Sequence, residues 1–129
     1  MFILEIYNNG YIEINVDNPY ITDGYINFLL RIKAYQFYGE HGFCINVIDL
    51  KELTRKLNKL YKDLTGEVVL TDYDSESFIG LKISENNDVC LFGQLGSEWE
   101  DNLWKFKQDA DQTIIQLFIN CFNNLILLI

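Results

Sequence analysis

The stretch DLKELTRKLNKLYKDL, Asp49 to Leu64, decides how the rest of the chain is read. Leu50, Leu53, Leu57, Leu60, Tyr61 and Leu64 recur at intervals close to a helical turn, which makes one apolar face. Asp49 and Glu52 stand at the spacing of a capping box, with Asp in place of Ser or Thr, and Gly66 is placed to stop the helix. The predicted helix is therefore about 49–64. Lys51, Arg55, Lys56, Lys59 and Lys62 fill its other face, which must stay wet. A leucine stripe of this kind needs a sheet to lie on, and strands are what flank it.

Upstream, FILEIY (2–7) and YIEINVD (11–17) surround Asn8-Asn9-Gly10, and Asn-Gly is a strong signal for a tight hairpin turn. Ile12, Ile14 and Val16 alternate with Glu13, Asn15 and Asp17, one set for the core and one for water. DNPYITDG (17–24) reads as a loop, Tyr25 to Tyr38 as a long strand, GEHG (39–42) as a turn and FCINVI (43–48) as another strand. Downstream, EVVLTDY (67–73), SFIGLKIS (77–84), DVCLFGQL (88–95) and NLWKFKQ (102–108) are separated by turn-like segments and predict a four-strand antiparallel meander. Asp109 or Asp111 then caps a final helix, about 111–127. The expected class is α+β: one curved antiparallel sheet of about seven to eight strands, an amphipathic helix between strands, and a C-terminal helix.

Composition sets further bounds. The 129 residues read as a single domain, 1–129, able to bury roughly two-thirds of its unfolded surface. Nearly half the residues are apolar, which excludes a disordered chain. Ten basic against nineteen acidic residues give a formal charge of −9. The segment 49–64 holds five of the basic residues against three acids and nets +2, so the remainder nets −11. Such a surface repels nucleic acid and anionic membranes and favours a basic partner. Cys44, Cys90 and Cys121 are odd in number and sit in apolar runs, as buried free thiols of a reducing compartment do. MFILEIYNNG has no basic n-region, and the apolar end TIIQLFINCFNNLILLI, broken by Gln116, Asn120, Asn123 and Asn124, is short for a membrane span. A cytoplasmic protein is expected.

The motifs that carry chemistry are missing. There is no CxxC pair, HExxH, P-loop, GxSxG or GxGxxG, and no cofactor or metal is expected. Asp72, Asp74 and Glu76 alternate as calcium ligands do, but Ser77 and Ile83 stand where an EF-hand needs glycine and glutamate. His41 and Cys44 are close enough in sequence to suggest an activated thiol, yet a core cysteine beside a loop histidine reads better. No enzymatic role is expected.

Three stretches together resemble the WapI-like immunity proteins, which neutralise the C-terminal domains of wall-associated, contact-dependent toxins of polymorphic toxin systems. They are the hairpin NNGYIEINV (8–16), the segment GYINFLLRIKAYQFYGEHGFCINVIDLKELTRKLNKLYKDLTGEVVL (24–70) with its D-L-x-x-L helix closed by a T-G-E step, and DADQTIIQLF (109–118), where Asp-Gln-Thr opens the last helix. The resemblance implies a toxin inhibitor that acts by protein–protein interaction on a cognate toxin domain, often a nuclease with a positive cleft. In a meander the turns at 73–77 and 96–101 share an end of the sheet. Glu98, Trp99, Glu100 and Asp101, with Asp72, Asp74 and Glu76 from the neighbouring turn, are the expected toxin-binding residues: carboxylates where phosphates would lie, and an aromatic anchor. A monomer or weak homodimer is expected. The alternative is a carbohydrate or small-ligand binding module, or a subunit of another complex.

Overall fold

The structure, a computed structural model, describes residues 3–8, 12–100 and 102–129. Among the described residues there are eight antiparallel strands and two α-helices, as the α+β reading requires, but the strands divide into two four-stranded sheets and do not form one curved sheet. The first sheet is β1 (Ile3–Asn8), β2 (Ile12–Thr22), β3 (Tyr25–Ala34) and β4 (Phe37–Asn46), in that order. Helix α1 (Val47–Asp63) leads to the second sheet: β5 (Gly66–Thr71), β6 (Phe78–Ile83), β7 (Val89–Ser97) and β8 (Asn102–Ala110), again in order. Helix α2 (Thr113–Ile126) follows. The expected turn at Asn9-Gly10 lies outside the described residues, although the ladder of β1 with β2 runs to Asn8 opposite Ile12.

Several boundaries differ from expectation. The segment 17–24 is no loop. β2 continues through it by a bulge, with Asp17 opposite Leu29 and Tyr20 opposite Asn27, so that β2 spends one residue more than β3. Pro19 sits in that bulge, where a strand tolerates the missing N–H, and Asn18 takes φ 50°. The hairpin then closes at Asp23-Gly24, φ 50° and 81°, the twist-matched pair of positive angles. The long strand expected from Tyr25 to Tyr38 folds back at Tyr35-Gln36, with Ala34 opposite Phe37 and Tyr35 at φ 56°. Residues 39–42 are therefore inside β4 and are not a turn. The 3-10 turn Glu98–Glu100 begins the β7–β8 connection.

α1 begins two residues earlier than expected because Asn46, not Asp49, is its cap: Asn46 Oδ1 accepts from the Ile48 N–H at 2.8 Å. It ends when Leu64 turns left-handed, at φ 52°, and donates its N–H to the Leu60 carbonyl. Leu50, Leu53, Leu57 and Leu60 are buried, at about 2 kcal/mol each before the entropy of ordering them is counted. They face one continuous core, shared with Ile12, Ile14 and Val16 of β2, Ile26 to Ile32 of β3, the inner residues of β5–β7, and Ile114, Phe118 and Phe122 of α2. α2 starts at Thr113, two residues later than expected, where Asp111 Oδ1 accepts from the Thr113 N–H. Asn8, almost fully buried, ties β1 to this point: its Nδ2 donates to Thr113 Oγ1 and its Oδ1 accepts from the Asp111 N–H.

Candidate functional site: an acidic groove between the sheets

Ser77 and Ser97 are the residues that build the site, and both are buried. Ser77 Oγ accepts from the Gly96 N–H at 2.8 Å, and Ser97 Oγ accepts from the Glu76 N–H at 3.0 Å. The Gln94 amide donates to the Glu76 and Gly96 carbonyls. These bonds stitch the β5–β6 turn to the β7–β8 turn. The Glu98 N–H then donates to Glu76 Oε1 at 3.2 Å, so the two turns form one acidic rim. Gly96 permits this: its φ is 93°, and a Cβ there would strike the Asn102 carbonyl.

Asp72 fastens the rim to the first sheet. Its Oδ1 accepts from the Cys44 N–H of β4 at 2.8 Å, its Oδ2 accepts from the Ser75 hydroxyl at 2.6 Å, and the Tyr73 N–H donates to the Cys44 carbonyl at 2.9 Å. Asp72 is 7% exposed, whereas Asp74, Glu76 and Glu98 are exposed. Of the expected site residues, then, Asp74, Glu76, Glu98 and Trp99 are at the surface together, and Asp72 is a buried brace. Glu100 follows them in the 3-10 turn, and Asp101 lies outside the described residues.

Between the rim and the first sheet runs a groove of about 520 Å³. Its walls are Asp72, Asp74, Ser75 and Trp99 on one side and Asn18, Tyr20, Leu29, His41, Gly42 and Cys44 on the other. Trp99 is 69% exposed and Tyr20 60%. Of the first-sheet wall, sequence reasoning weighed His41 and Cys44 only as an activated thiol and did not place Asn18, Tyr20, Leu29 or Gly42 at the contact; the signal beside Tyr20 is the Asn18-Pro19 bulge just before it. Trp104 is not part of the rim: it stacks on Phe106 at 4.7 Å and lies over Gly39, where a Cβ would be pressed into the indole.

The groove is a poor place for a nucleophile. Burial pushes the Cys44 thiol up, and the charges of Asp74 and Asp72 push it further, so the reactive thiolate is suppressed. His41 stands on the opposite face of β4 from Cys44, edge-on to Phe43 at 6.4 Å. Elsewhere, the Arg31 guanidinium bonds Glu40 at 2.9 Å and Asp17 at 3.1 Å, and the bond from Arg31, helped by the Tyr38 hydroxyl, holds Glu40 below the usual carboxylate range. Lys51, Arg55, Lys56, Lys59 and Lys62 are exposed along α1. Among the described residues, no three His, Cys, Asp or Glu are grouped to hold a metal ion, and no helix is long and apolar enough to cross a membrane.

Solved structures that share the fold include two plant proteins. One is the plant transcriptional regulator PBF-2, at TM-score 0.55 and 6% identity over 98% of this chain and 81% of that one. The other is WHY1 from Arabidopsis thaliana, at TM-score 0.53 and 9% identity over 98% of this chain and 84% of that one. At such identities the likeness is of fold alone. No curated protein matches the chain. A family model does, over residues 2–127, nearly the whole length. The chain belongs to the Immunity protein WapI-like family.

Proposed function

We propose that this protein neutralises a nuclease toxin by seating the acidic rim and Trp99 in the toxin's positive cleft. Membership of the immunity family supports an immunity role and a toxin partner. The observation that carries the finer reading is the joining of the two turns, Glu98 N–H on Glu76 Oε1, beside a groove lined by Asp74 and Trp99. Asp74, Glu76, Glu98, Glu100 and Asp101 supply carboxylates at the contact, Asp72 supports them, and Trp99 is the anchor. A typical interface takes about 800 Å² from each partner. The chain exposes 7400 Å², so the rim and groove are a sufficient area. The protein acts as a single, non-catalytic cytoplasmic domain, monomeric or weakly dimeric, without cofactor or metal. Its charge of −9 steers it to a basic partner, with association reaching about 10⁸–10⁹ M⁻¹s⁻¹ at low salt, and away from nucleic acid.

The test is Asp74→Lys with Glu98→Lys, measured against the toxin domain encoded beside this gene. Close charge pairs at such interfaces couple by at least about 1.5 kcal/mol each, so the double reversal should weaken binding about 100-fold and abolish protection in co-expression. Unchanged affinity would overturn the proposal. A second reading, a carbohydrate-binding module, is favoured by the exposed Tyr20 and Trp99 flanking the groove. Oligosaccharide binding by the chain alone, lost in Trp99→Ala, would support it instead.

A further inference from the structure

We propose that β4 offers its open edge, Tyr38 to Gly42, to an extended segment of the toxin, which adds to the first sheet as a fifth strand. This rests on the immunity reading and specifies its mode of contact.

β4 is the outer strand of its sheet, paired only with β3. In an antiparallel ladder the backbone groups of alternate residues point to alternate sides. Cys44 points away from β3, because its N–H is taken by Asp72 Oδ1 and its carbonyl by the Tyr73 N–H. Counting back by twos, Gly42, Glu40 and Tyr38 point the same way. Among the described residues none of their three N–H groups has a backbone partner, and only the Gly42 carbonyl is engaged, by the His41 ring. The Asp72-Tyr73 turn thus continues the sheet for one residue pair and stops, leaving an edge of about 13–17 Å.

Natural sheets guard such edges with charge, proline or bulges. This one carries two glycines, and its one carboxylate, Glu40, is drawn back onto Arg31 and Tyr38. The edge also opens on the acidic groove. Gly42 and Asp74 both line that groove, and a Cβ at Gly42, which projects from the sheet face and not along the edge, would meet nothing within 4 Å. The occupant that fits is an extended segment with a basic side chain directed at Asp74, bound by its backbone to the edge and by its charge to the rim.

The decisive comparison is Gly42→Pro against Gly42→Ala, each titrated with the purified toxin domain encoded beside this gene. Both fill the same open space. Proline alone removes the outward N–H, and the ladder to β3 loses no bond. Gly42→Ala should bind within about threefold of wild type, and Gly42→Pro about tenfold more weakly. Hydrogen exchange on the wild-type complex should protect the amides of Tyr38, Glu40 and Gly42. Equal binding by the two variants, with those amides exchanging as in the free protein, would overturn the edge pairing; if Asp74→Lys with Glu98→Lys still abolished binding, the acidic-rim reading would stand without it. A toxin domain that does not bind the wild-type chain would sink both.

Discussion

Replacing Asp72 separates a brace from a binding charge. Asp72→Ala removes two hydrogen bonds to a charged acceptor, from the Cys44 N–H and the Ser75 hydroxyl. Each such bond contributes about 1.5–3 kcal/mol. Water reaches part of the freed edge, and the variant no longer buries a carboxylate, so the net loss should be about 2–4 kcal/mol. That is a large share of the roughly 5–15 kcal/mol expected for a whole domain. Asp72→Asn is the control. Its amide oxygen can still accept from the Cys44 N–H while its nitrogen donates to Ser75 Oγ, so it should cost about 1 kcal/mol or less while removing the same charge. The assay is urea denaturation followed by tryptophan fluorescence, with thermal melts alongside; the alanine variant should melt roughly 10 °C lower. Stability of Asp72→Ala within about 0.5 kcal/mol of wild type would refute the reasoning, as would an asparagine variant equally damaged.

Two glycines of one strand make a second test. Gly39→Ala forces a methyl against the Trp104 ring and Leu95 Cδ1, and should cost about 1–3 kcal/mol in the same denaturation assay, whereas Gly42→Ala meets open space and should stay within about 0.5 kcal/mol of wild type. Burial pushes the Cys121 thiol up to about 12, so at pH 8 it should resist a thiol reagent in the folded protein and react fully in guanidinium; native labelling as fast as in denaturant would contradict the packing of α2. Asp74→Asn with Glu98→Gln should raise the melting temperature by relieving repulsion within the rim, an effect that shrinks as salt is added; a lower melting temperature would show that these acids hold the fold.

What could be read in advance follows from the range of the forces involved. α1 was legible because its leucine period is a property of the segment itself, and its end at Leu64 with it, yet its start was not, since Val47 and Ile48 look like strand and the cap is Asn46. The meander was legible for the same reason, and its turn arithmetic brought Glu76 and Glu98 together before any coordinates did. The β3–β4 turn was misplaced because Gly39 and Gly42 drew it four residues too late. Gly39 is there for the approach of Trp104, not for a turn, and Tyr35 makes the actual turn despite its Cβ. The segment 17–24 around Pro19 reads as a loop from sequence, although a bulge tolerates the proline within β2. The division into two sheets, and with it the placing of Gly42 and Cys44 in the wall of the groove, depends on long-range packing that no local pattern encodes.

The placement of charge follows one logic across the molecule. Carboxylates near cations are taken up by the fold: Asp17 and Glu40 hold Arg31, and Glu52 holds Arg55. Half the basic residues lie on α1, and Lys82, Lys105 and Lys107 lie on one face of the second sheet, by the ladder that sets Lys82 beside Cys90, Gln94 beside Lys105 and Phe92 beside Lys107. Asp74, Glu76 and Glu98 form no ion pair among the described residues. A rim held by buried serines and a glutamine needs no cation for its geometry, and its carboxylates stay uncompensated while the turns stay fixed. Fixed, unneutralised charge is what an incoming positive surface can meet without first breaking an internal pair or ordering a loop, and that preorganisation keeps the cost of association low.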